Sequence, residues 1–100
     1  KFFYLLFNNK VFNKESTLQE MLKKYKYQTP ALMDYSLGIW EIELEGMKFF
    51  THSGFWGTQV VYSPKYDISF SVNYSKGWLG SYNAPLIQKV FSLIENKPKP

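Results

Sequence analysis

One hundred residues with 12 Lys/Arg against 8 Asp/Glu leave a net charge of +4, and 45% of the chain is hydrophobic and 20% aromatic. That is too apolar for a disordered chain, and more aromatic surface than one thin core of this length hides, so part of it is expected to face a partner. The absence of cysteine excludes disulfide frameworks, cysteine-zinc sites and thiol catalysis, and leaves the compartment open.

Phe2 to Phe7 is an unbroken apolar run closed by Asn8-Asn9, as in the last turns of a buried helix, and the chain is expected to begin mid-structure. The run is too short for a membrane span and lacks the cleavage-site flank of a signal peptide. Asn13 is placed to cap a second helix, with Glu15 adding favourable charge in its first turn and Leu18, Met21 and Leu22 forming its apolar stripe. Tyr25 to Met33 reads as a polar linker, with Pro30 barring helix continuation. Lys23, Lys24 and Lys26 form the one compact basic group, and Lys97 and Lys99 sit in a Pro-rich tail. Both read as solvated surface, so no nucleic-acid partner is expected.

From Tyr35 the period changes to two, with Leu37, Ile39, Glu41, Glu43 and Glu45 on one face and Ser36, Trp40, Ile42 and Leu44 on the other, which argues a strand. Glu45-Gly46 is a hairpin signal, and Met47 to Thr51 returns antiparallel. Thr58 to Ser63 and Ile68 to Tyr74 supply two more strands around a Pro64-Lys65-Tyr66-Asp67 turn. Ser75 to Asn83 reads as a loop, and Ala84-Pro85 opens a helix to Asn96 whose core-facing stripe is read as Leu86, Val90, Leu93 and Ile94. The expected fold is α+β: a four-stranded antiparallel meander over residues 35–74, preceded by a helical segment and linker over 1–34. A loop, C-terminal helix and tail follow over 75–100, all within one partial domain.

The chemistry concentrates in Thr51-His52-Ser53-Gly54-Phe55-Trp56-Gly57. A strand ending in a cation, a hydroxyl and a glycine sets a positive group, a hydroxyl donor and an unhindered N–H along one sheet edge, able to hold an anionic or acyl substrate. His52-Ser53-Gly54 resembles the third motif, Lys/His-Ser/Thr-Gly, of the serine β-lactamase and penicillin-binding protein superfamily. The flanks extend the likeness. Tyr35-Ser36-Leu37-Gly38-Ile39-Trp40 is similar to the Tyr-x-Leu-Gly-aromatic strand before that motif in class C β-lactamase-like esterases and D-Ala-D-Ala carboxypeptidases. Val61 to Ile68, with its Tyr-x-Pro turn, resembles the hairpin after it, and the next strand ends at Val72-Asn73-Tyr74. Phe2 to Leu22 looks like the paired helices ahead of these strands, so the resemblance covers nearly the whole chain.

The resemblance implies part of a β-lactamase-like fold, in a C-terminal segment of a serine hydrolase with no cofactor and an extracytoplasmic setting. It implies that His52 assists proton transfer or substrate anchoring and that Ser53 hydrogen-bonds a substrate carbonyl or carboxylate. Gly54 lets substrate lie against the strand, the N–H of Phe55 gives one oxyanion-hole donor, and Phe55 and Trp56 wall the pocket. A free imidazole titrates near ~6.5 and an ammonium near ~10, so histidine in the cationic position favours an esterase, carboxypeptidase-like or peptidase-like parent over a dedicated penicillin hydrolase.

No serine of the chain is followed three residues on by lysine, so the family's Ser-x-x-Lys nucleophile is absent. Ser71-Val72-Asn73 and Ser81-Tyr82-Asn83 spell the second motif's Ser-x-Asn but follow the third, contrary to the family's order. The expected partner is the N-terminal part of the parent enzyme. Without it, an unpaired strand edge and Phe2, Phe3, Leu5, Leu6 and Phe7 are expected to drive self-association. The alternative is a binding module in which Trp40, Trp56, Trp78 and the tyrosines stack on glycan or single-stranded nucleic acid. A stacking module exposes several rings on one face; the hydrolase reading buries most and reserves Phe55 and Trp56.

Overall fold

The computed structural model describes residues 1–23, 33–73 and 84–96. In chain order the elements are α1 (Phe2–Phe7), α2 (Glu15–Met21), β1 (Met33–Tyr35), β2 (Trp40–Leu44), β3 (Met47–Ser53), β4 (Thr58–Ser63), β5 (Ile68–Asn73) and α3 (Ala84–Glu95). Every strand pairs antiparallel with its sequence neighbour, giving a five-stranded sheet in the order β1-β2-β3-β4-β5. The α+β class and the antiparallel meander are as the sequence predicts.

The first predicted strand is in fact two. Gly38 takes φ +80°, a conformation that L side chains resist, and the Ser36 amide and hydroxyl both donate to the Ile39 carbonyl, at 2.9 and 3.1 Å. The chain therefore reverses over Ser36–Ile39, and Tyr35 faces Trp40 across the β1–β2 ladder. The next reversal is the expected one: Glu45 and Gly46 both adopt positive φ, at 50° and 76°, as a two-residue type I′ hairpin requires.

Helices cover both faces of the sheet. Period two sends Phe49 and Val61 to one face and Phe50 and Tyr62 to the other. On the first face Ile42, Phe49 and Val61 pack with Ile87 and Phe91 of α3. On the second, Ile39, Phe50 and Tyr62 pack with Phe3 and Leu6 of α1 and Leu18 of α2, with Met21 and Leu22 alongside. Glu41, on the strand face that also carries Glu43, is half-buried and ion-paired with Lys48 at 2.9 Å.

Three local expectations are corrected. The buried stripe of α3 is Ile87 and Phe91 with Ile94 beside them, while Leu93 is 58% exposed, because the register that drives the largest ring into Phe49, Tyr66 and Phe70 wins. Helix α2 starts one residue later than an Asn13 cap would set it, with Lys14 in the N-cap position and no side-chain cap bond. Phe3 and Leu6 are buried by this chain itself and Phe7 stacks on Phe50 and Tyr62, so of Phe2, Phe3, Leu5, Leu6 and Phe7 only Phe2, 63% exposed, stands open. The turning of α1 by its i, i+3, i+4 spacing lays these side chains on the sheet. Tyr25 to Pro30, Tyr74, Trp78, the 75–83 loop and the 97–100 tail lie outside the described residues.

The β4–β5 turn binds both helical layers. Asp67, at φ +50°, accepts from Tyr4 Oη at 3.2 Å, Asn8 Nδ2 at 2.8 Å and Tyr62 Oη at 2.9 Å. These donors, Asn8 foremost, hold its carboxyl below the usual range, while burial and the Asp67 charge push the Tyr62 phenol up to about 12. On the other face Glu95 of α3 accepts from Lys65 Nζ at 3.0 Å and from the Tyr66 hydroxyl.

Phe91→Ala is expected to cost about 3–5 kcal/mol in urea unfolding, and Leu93→Ala about 0.5 kcal/mol or less; equal effects would refute the register of α3. Asp67 binds protons less readily folded than unfolded, so its contribution is full above its unfolded pKa near ~3.9 and is lost as pH falls through the lower folded value. Asp67→Ala is therefore expected to lower Tm at pH 7 and to flatten the acid limb of Tm against pH. Thermal circular dichroism across that range measures both.

Candidate functional site

The motif lies where β3 gives way to the β3–β4 hairpin. His52 pairs with Val60 and Ser53 with Gln59 across the ladder. The Gly54 amide donates to the Thr58 carbonyl at 2.7 Å, and the Gly57 amide to the Gly54 carbonyl at 3.2 Å. With Gly57 at φ +83°, this is a three-residue loop of Phe55, Trp56 and Gly57 that ends in a left-handed glycine, the G1-bulge geometry.

The two glycines flanking the aromatic pair differ in physical status. Gly57 is demanded by its backbone. Gly54 is not: its φ lies outside the left-handed region, and a Cβ there would meet only Thr58 O at 3.9 Å and Thr58 Cβ at 4.0 Å, ordinary contacts. Nothing within the described chain requires a bare α-carbon at Gly54.

His52 is exposed and Ser53 half-buried. The pleat sends them to opposite faces, His52 with Phe50 and Val60 and Ser53 with Thr51 and Gln59, so the expectation that both line one edge is corrected to an arrangement around the strand end. Sequence reading missed the buried pair below Ser53. Thr51 and Gln59 are both about 2% exposed; Thr51 Oγ1 donates to the Val60 carbonyl at 2.7 Å and accepts from Gln59 Nε2 at 3.4 Å. Its one sequence signal was a glutamine directly before the apolar Val60-Val61 pair of β4.

Aromatic rings stand before and after the motif. The Tyr35 ring lies 4.3 Å from that of Trp40 and 6.4 Å from that of His52, centroid to centroid. Phe55 and Trp56 meet edge to face at 4.9 Å and are 57% and 72% exposed. They are the tip of the hairpin. Two cavities of about 180 and 440 Å³ lie elsewhere, one among Glu45, Lys65, Gln88 and Glu95, the other among Phe2, Val60, Ser69 and Ser71.

Among the described residues no group of three or more His, Cys, Asp or Glu side chains could hold a metal ion, and no helix is long and apolar enough to cross a membrane. No family model, curated protein or solved structure matches this chain.

Substitution separates the two glycines. Gly57→Ala is expected to cost about 1–2 kcal/mol, the strain of a left-handed L-residue. Gly54→Ala is expected to change stability by about 0.5 kcal/mol or less. Urea denaturation of both variants gives the comparison, and a large loss for Gly54→Ala would make that glycine structural.

Proposed function

We propose that this chain is the C-terminal portion of a β-lactamase-related serine hydrolase, acting in esterase, carboxypeptidase or β-lactamase-like acyl transfer. It supplies the third motif and half of the oxyanion hole and is inactive alone. The observation that carries the reading is Gly54, whose missing side chain serves no conformational need in this chain and leaves room for a body from outside it to lie against the end of β3. The resemblance expects that at this glycine.

In this reading His52 anchors substrate or passes a proton, and Ser53 donates to a substrate oxygen. The resemblance makes the amide of Phe55 the oxyanion donor, the Gly54 amide being bonded to Thr58, with Phe55 and Trp56 closing the pocket against the rest of the enzyme. Oxyanion donors act on charge developing in the transition state and need a nucleophile that the remainder of the parent provides. That remainder is the principal proposed partner. Strand β5 at the sheet edge, with no charged residue from Ile68 to Asn73, offers self-association in its absence.

Among the described aromatic residues Phe3, Phe49, Phe50, Tyr62 and Phe91 are buried and Phe55 and Trp56 are the most exposed beside the motif, while Phe2, Tyr4, Phe12 and Tyr35 are exposed as well. A stacking module for glycan or single-stranded nucleic acid would spread several open rings over one face.

The isolated chain is expected to hydrolyse neither nitrocefin nor 4-nitrophenyl acetate above buffer. The coding sequence upstream of Lys1 should contain Ser-x-x-Lys followed by Tyr-x-Asn or Ser-x-Asn. In the protein so encoded, His52→Ala and Gly54→Val should each lower kcat/KM on the order of 10²-fold or more. Acylation of a serine within this chain by a fluorescent penicillin, or an upstream sequence without the nucleophile motif, would overturn the proposal.

A further inference from the structure

We infer that β5 is the seam of a homodimer, pairing antiparallel with β5 of a second copy of this chain in a register centred on Phe70. The pairing uses none of His52, Ser53 or Gly54 and stands independently of the hydrolase reading.

The two edges of the sheet differ. Strand β1 is three residues long and carries Asp34, the short and charged kind of edge that resists an added strand. Strand β5 has six residues, each in register with β4, with no bulge, no proline and no charged side chain from Ile68 to Asn73. Among the described residues no strand pairs with its outer side. The bond from the Gly54 amide to the Thr58 carbonyl starts the alternation of hydrogen-bonded and non-hydrogen-bonded pairs along β3 and β4. Carried across β4, that alternation turns the N–H and C=O of Phe70 toward Val61. Those of Ser69 and Ser71 therefore point outward, away from β4.

The sequence of this edge selects a second copy as its occupant. In an antiparallel pair related by a two-fold axis normal to the sheet, Phe70 meets the partner's Phe70, Ser69 the partner's Ser71, and Ile68 the partner's Val72. Alternation keeps Ile68, Phe70 and Val72 on the α3 side and the two serines on the α1 side in both copies. Every cross-strand pair is thus matched in kind, apolar to apolar and hydroxyl to hydroxyl, and the outward groups of Ser69 and Ser71 exchange backbone hydrogen bonds with their counterparts. One step further Asp67 falls opposite the partner's Asn73, so no like charges face each other. On the α1 side the exposed Phe2 lines the cavity of about 440 Å³ together with Ser69 and Ser71. The two-fold axis sets both copies' cavities on the same side of the joined sheet, beside the seam.

Sedimentation equilibrium of this chain at micromolar concentration should show a dimer. The chain has no cysteine, so single-cysteine variants report the register directly. A mixture of Ser69→Cys and Ser71→Cys should oxidise to a disulfide-linked dimer. Either variant alone should not, because like positions then lie two residues out of register, beyond the ~7 Å Cα separation a disulfide spans. Ser71→Lys should raise the dimer dissociation constant roughly tenfold or more while leaving the circular dichroism spectrum unchanged. A chain that stays monomeric, cross-linking of either single variant as readily as the mixture, or a dimer undiminished by Ser71→Lys would each overturn the inference. Pairing of β5 with a strand encoded upstream of Lys1, in place of a second copy, would also overturn it and leave the hydrolase reading intact. A cross-linked dimer from a gene whose upstream sequence lacks Ser-x-x-Lys would sink the hydrolase reading alone.

Discussion

The Asp67 carboxylate, held in a left-handed turn residue between β4 and β5, is the point on which the three layers depend. It gathers two phenols and a side-chain amide, one from α1, which is only six residues long, and one from that helix's C-cap residue Asn8. A helix of that length has no stability of its own, since nucleation costs more than so few turns return. It persists because Phe3 and Leu6 are buried on the sheet and because Tyr4 and Asn8 are tied to a fixed acceptor. Two residues earlier, Lys65 and its neighbour Tyr66 reach the opposite layer through Glu95, with Tyr66 also stacked on Phe91 at 5.7 Å. One four-residue turn thus sets the positions of α1 and α3 against the same sheet, and the sheet in turn fixes β3, whose end carries the motif.

The polar burial in this small core is of two kinds. Thr51 and Gln59 satisfy each other and the ladder, which lets the strand end below Ser53 be both dry and polar. The Ser63 hydroxyl, fully buried at the far end of β4, has no hydrogen-bond partner among the described residues. An unmet hydroxyl costs stability where an alanine would not. The sheet is therefore better satisfied at the end that bears the motif than at the end that bears the interlayer turn, where Asp67 and Glu95 supply the compensation.

What the sequence made legible follows the range of the interaction involved. Glu45-Gly46 was readable because a type I′ turn is a local demand on two residues, both of which adopt positive φ. The break at Gly38 was equally local, but the alternating pattern through Leu37 and Ile39 concealed it, since a glycine inside an apparent strand is also compatible with continuity. The stripe of α3 was ambiguous for another reason: Leu86-Val90-Leu93 and Ile87-Phe91-Ile94 both have helical spacing, and only the facing rings of Phe49 and Phe70 select the second. The Asp67 cluster joins residues 63 and 59 apart in sequence, and no short-range signal announces such a pairing. At the site, the identities of His52, Ser53 and Gly54 are plain in the sequence, while the strand pleat, which sends successive residues to opposite faces, sets the shape of the strand end.

That shape constrains any ligand. Because His52 leaves β3 on the Phe50 side and Ser53 on the Thr51 side, no molecule lying flat on one face of the sheet can touch both. A ligand engaging the imidazole, the hydroxyl and the bare α-carbon of Gly54 must wrap the end of β3, an interior strand of the sheet, where the Ser36–Ile39 turn and the Phe55–Trp56 tip stand on either side of the motif in the chain. Such a position is open to solvent in the described residues, and electrostatic donors are worth most where water is excluded. A site of this geometry becomes effective only when a second body closes over the strand end, and the exposed Phe55 and Trp56 are the apolar surface such a body would cover. On the proposed reading, the surface left open at this strand end is therefore what would make its three motif residues chemically useful in a larger assembly.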